Sequence, residues 1–79
     1  EVDFLVRGAA TEELIQVCAD ASEAETAVRE LRGLDEARQA HPRARLRLLV
    51  AMRDGLPKDL PTWVTAQTVY EWLLGPEAS

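Results

Sequence analysis

One cysteine, Cys18, leaves this chain with no internal disulfide to form, and such a composition is expected of a protein kept reduced in the cytoplasm. One cysteine with one histidine, His41, also falls short of the four ligands of a structural zinc site. The four glycines are scattered at Gly8, Gly33, Gly55 and Gly75. No phosphate-cradling glycine loop results, so no ATP is expected to bind this stretch. No run reaches 18 apolar residues, and neither a membrane span nor a membrane partner is expected. Positive charge is scarce: nine basic residues face fourteen acidic ones, for a net charge of -5. A phosphate backbone is repelled by that field, so DNA would bind only weakly and only through a local basic patch.

What is present is the balance of a folded domain. The 79 residues are 47% hydrophobic and 29% charged, without repeats or low-complexity tracts. Residues 1–79 read as a single domain, and a chain of this size buries only about 60 to 65% of the surface it exposes when unfolded. The one basic concentration is Arg38, Arg43, Arg45 and Arg47, with His41 among them. Alternation alone accounts for Arg45 and Arg47 as outward residues at the start of a strand, with Arg38 near a helix C-terminus. If the patch binds DNA, then Arg43, Arg45 and Arg47 are the residues expected to carry it.

The pass along the chain gives strands and helices in a definite order. Val2, Phe4 and Val6 alternate with Asp3 and Leu5, which predicts a strand over about Val2 to Arg7 with Asp3 and Leu5 on one face. Gly8 and its small neighbours turn the chain into a second strand over Leu14 to Ala19, where Leu14, Gln16 and Cys18 share a face. So short a link predicts an antiparallel hairpin. A helix is expected from "SEAE", where Ser22 and Glu25 have the spacing of a capping box, to His41 and Pro42. Its apolar stripe is Ala24, Val28, Leu31 and Leu34, with Ala27 and Ala37 beside them, and Glu25 and Arg29 are spaced as an i,i+4 pair. Gly33, which costs about 1 kcal/mol there relative to alanine, marks a candidate close approach.

"RLRLLVAM", Arg45 to Met52, alternates and then turns continuously apolar, the pattern of a strand covered on both faces. Strand, helix, strand is a crossover, and it predicts parallel pairing. Asp54-Gly55 turns the chain, "LPKDLP" reads as a surface loop, and "TWVTAQ" is a short final strand. In "TVYEWLLG", Thr68 and Glu71 form a second capping box and Gly75 occupies the C-terminal position that favours positive φ. Trp63 and Trp72 are expected in the core of so small a domain, with Val69, Trp72 and Leu73 seating the last helix on the sheet or, if it lies at the surface, on a neighbouring domain.

Candidate chemistry is sparse. A cysteine nucleophile needs a base, and His41 lies at the far end of the helix from Cys18, so Cys18 reads as a buried, inert thiol. What remains is the first pair of strands. Asp3 lies on the first of them, and Gln16 and Cys18 share a face of the second.

The phrases "EVDFLV", "ELIQVCAD", "SEAETAVRELRGLDEA" and "YEWLL" together resemble the C-terminal, nuclease-like domain behind the ATPase module of certain bacterial and archaeal AAA-type ATPases. The resemblance runs from Glu1 to about Leu74. It implies an α/β fold of the PD-(D/E)xK, restriction-endonuclease-like type with a small mixed sheet: antiparallel hairpin, crossover helix, parallel strand, the first elements of the core being absent. It also implies that the chain is the C-terminal piece of a longer ATPase, ATP being held upstream, as the opening on Glu1 without an initiator methionine suggests.

By that resemblance Asp3 is the first metal-binding acid, Gln16 stands at the second acidic position, Cys18 at the lysine position, and Glu1 beside Asp3 is a possible extra ligand. Glutamine lacks the charge and cysteine the positive donor, so the motif is degenerate. The expected function is a non-catalytic binding or regulatory domain, contacting its own upstream ATPase domain or a protein partner, without a cofactor of its own. The alternatives are a Mg²⁺-dependent nuclease with a rearranged site, in which Arg29 could replace the lysine, and a small stand-alone domain that forms a homodimer through a sheet edge.

Overall fold

The computed structural model describes residues 4–7 and 11–75, with only the backbone of the first segment apart from Leu5. The chain is a small α/β protein. Its described elements are β1 (Phe4–Arg7), β2 (Glu12–Cys18), α1 (Ala24–Ala40), β3 (Arg45–Val50), β4 (Val64–Thr68) and α2 (Val69–Leu74), with a 3-10 turn at Arg53–Gly55.

One sheet runs in the order β1, β2, β3, β4. The three strands with described side chains, β2, β3 and β4, are all parallel, with Gln16 beside Leu48 and Leu48 beside Ala66. The short β1 lies antiparallel on β2, with Leu5 opposite Leu14. The body of the sheet is therefore parallel, rather than a hairpin extended by one parallel strand. The reason is visible in the second crossover: Ala51 to Trp63 returns the chain to β4 with only the 3-10 turn on the way, and a connection of about a dozen residues is what parallel pairing needs.

β3 lies between two parallel neighbours, and Leu48, Leu49 and Val50 are all buried. Its run of apolar residues on both faces follows from that position. Alternation then sorts the sheet's side chains. Leu14, Leu46, Leu48, Val50 and Val64 form one cluster with Leu34 of α1 and with Ala21. Ile15 and Leu49 are buried on the other face.

α1 seats on the sheet through Ala27, Gly33 and Leu34, with Leu31 and Ala37 half-buried. Ala24 and Val28, which the three-and-four spacing also allows in the stripe, are exposed, Val28 at 53%. The helix begins one residue later than its capping box would place it. Glu23 is the N-cap, without a side-chain cap, while the Ser22 amide and hydroxyl both donate to Asp20 Oδ1, at 2.8 and 2.6 Å. Ser22, turned back to Asp20, cannot also cap the helix. These bonds hold the Asp20 carboxyl below its usual range, the Ser22 hydroxyl contributing most and its amide next.

The loops after β2 and β3 are stitched at Gly55. The Ala21 amide donates to the Gly55 carbonyl at 2.7 Å, and the Ala51 amide to the Ala19 carbonyl at 3.3 Å. A Cβ on Gly55 would lie 3.3 Å from both the Ala19 carbonyl oxygen and the Asp20 Cα, which only glycine avoids at this crossing. The loop beyond is not wholly on the surface: Pro57 is buried and Leu56 packs against the core.

α2 carries the expected capping box. The Glu71 amide donates to Thr68 Oγ1, and the Thr68 amide to Glu71 Oε1, both at 3.1 Å. Gly75 follows with φ 74°, a conformation open to glycine. The helix buries none of its residues, and Leu73 is 70% exposed. Trp63 and Trp72 are half-buried, Trp63 against the core with the Arg38 guanidinium 4.1 Å above its ring.

Candidate functional site

Of the four residues that the motif reading selects, Glu1 and Asp3 lie outside the described residues. Gln16 and Cys18 sit on β2, two apart, and therefore on one face, the face that α1 covers. Leu5 lies opposite Leu14 on that same side.

Gln16 is only 9% exposed. Its Nε2 donates to Oε2 of Glu30, on α1, whose side chain is 13% exposed. Arg29 lies 4.0 Å from the other Glu30 oxygen, and its own side chain is 74% exposed. Arg29 thus stands beside Glu30, turned to solvent rather than over the sheet. Gln16 Oε1 is buried and has no hydrogen-bond partner among the described residues. Cys18 is half-buried, its thiol 3.3 Å from the Asp20 carbonyl.

Glu30 is the member of this group that a stripe reading passes over. It follows Ala27 by three and precedes Leu34 by four, so helical period places it among the buried residues. An acid at such a spacing was the available signal. It lost to the apolar residues around it because a stripe is drawn through hydrophobic positions only.

The donor set is one carboxylate already receiving an amide, one neutral amide and one thiol. Mg²⁺ prefers oxygen ligands, usually ionised, in octahedral array. The described residues at this place do not fit it. Among the described residues, no group of three or more histidine, cysteine, aspartate or glutamate side chains is placed to hold a metal.

The basic cluster is divided by the fold. Arg43 and Arg45 are exposed. Arg47 lies on the sheet face opposite α1, where NH2 donates to Glu13 Oε2 at 2.9 Å and NH1 to Gln67 Oε1. One guanidinium therefore ties β2, β3 and β4 together, both it and Glu13 being 21% exposed. Two of its nitrogens are committed within the sheet, and buried Nε has no partner among the described residues. Arg38 turns to Asp35 at 2.7 Å and to Trp63, and His41 Nδ1 lies 3.6 Å from Glu12 Oε1. The three arginines do not make one cationic face: Arg45 and Arg47 share a face, but Arg47 is bound to Glu13 and Gln67 within the sheet, and Arg43 precedes the strand.

The fold and site thus define a small mixed α/β domain with an amide–carboxylate contact between its second strand and its long helix. Compared with known protein families, with curated proteins and with solved structures, the chain matches none. No helix among the described residues is long and apolar enough to cross a membrane.

Proposed function

We propose that this chain is a non-catalytic binding or regulatory domain on a nuclease-like scaffold, the C-terminal part of a larger AAA-type ATPase. The observation that supports this reading is the Gln16–Glu30 contact. At the position where catalysis would call for a second metal-binding acid, a neutral amide is turned to a helix carboxylate and serves packing. Cys18, at the lysine position, has its thiol beside the Asp20 carbonyl and carries no positive charge to orient a water. A domain so arranged retains a scaffold for contacts with its own ATPase module or with a protein partner.

The test is a plasmid-nicking assay with Mg²⁺ or Mn²⁺ on the 79-residue chain. No cleavage is expected. Metal-dependent cleavage that disappears in Asp3→Ala or Glu30→Ala would overturn the reading in favour of a rearranged nuclease. The ATPase association is checked on the reading frame upstream of Glu1, where a Walker-type glycine loop is expected.

A further inference from the structure

We draw no further inference here: the strongest candidate, the apolar surface patch that Tyr70, Leu73 and Leu74 of α2 leave exposed, carries nothing, because nothing in the structure shows what covers it.

Discussion

Gln16 on β2 donates its side-chain amide to Glu30 on α1, joining the sheet to the helix through two polar groups within an otherwise apolar interface. The consequence is asymmetric. Removing one partner leaves the other buried and unsatisfied, at a cost of about 1–3 kcal/mol, whereas replacing both by apolar groups of like size is close to neutral. Glu30→Leu and Gln16→Met should therefore each lower stability by that order, while the double variant should recover most of the loss. Urea unfolding of the four proteins as a double-mutant cycle measures it, and strictly additive losses would show that the pair is not coupled.

Arg47 joins Glu13 to Gln67 across the three parallel strands. Lysine cannot reproduce the fork, so Arg47→Lys should cost about 1–2 kcal/mol, and Arg47→Ala more because Glu13 loses its cation. If the chain binds DNA at low salt, Arg43→Ala and Arg45→Ala should each weaken binding, and Arg47→Lys should leave it within error once folding is corrected for. Filter binding at several salt concentrations separates these outcomes.

Gly55 lies against backbone atoms rather than flexible side-chain ends, so Gly55→Ala cannot be absorbed by a rotamer change. The two loops must part by a few tenths of an ångström, and a loss of about 1–3 kcal/mol is expected from such overpacking. Thermal unfolding reads it, and a variant as stable as the parent would show that the crossing yields freely.

Glu71 is held below the ordinary glutamate range, first by the Thr68 amide; burial opposes this as the next-largest effect, and the Thr68 hydroxyl and Arg53 add smaller lowering contributions. A carboxyl whose folded value is depressed favours the native state above its unfolded pKa, and that contribution fades as pH falls through the folded value. The first turn of α2 should thus loosen at acid pH below the usual carboxylate range. NMR titration should place Glu71 below the ordinary glutamate value, and Thr68→Ala should move it part of the way back.

Much of this was legible from the order of residues. The crossover from β2 through α1 to a parallel β3 follows from period-two runs around a period-3.6 segment, and the Thr68–Glu71 cap from a three-residue spacing alone. Ser22 shows where that reasoning fails. It has the same spacing to Glu25 that Thr68 has to Glu71, yet Asp20, two residues back, competes for the same hydroxyl and takes it. Val28 failed for a different reason. A helix on a small sheet buries a narrow stripe, and Ala27, Leu31 and Leu34 fill it.

The sequence by itself determined which segments extend and which coil, because those preferences are local: side-chain alternation, helical period and the reach of a capping hydroxyl. It also determined that glutamine and cysteine occupy two positions of the proposed motif. Only the tertiary structure decided that β4 joins β3 in parallel, that Glu30 meets Gln16, and that Arg47 spends its guanidinium inside the sheet. Each of these contacts joins residues well separated along the chain, from 14 positions for Gln16 and Glu30 to 34 for Glu13 and Arg47. No local periodicity encodes such a distance; packing α1 on β2 creates the first contact, and the parallel pairing of β2 with β3 the second.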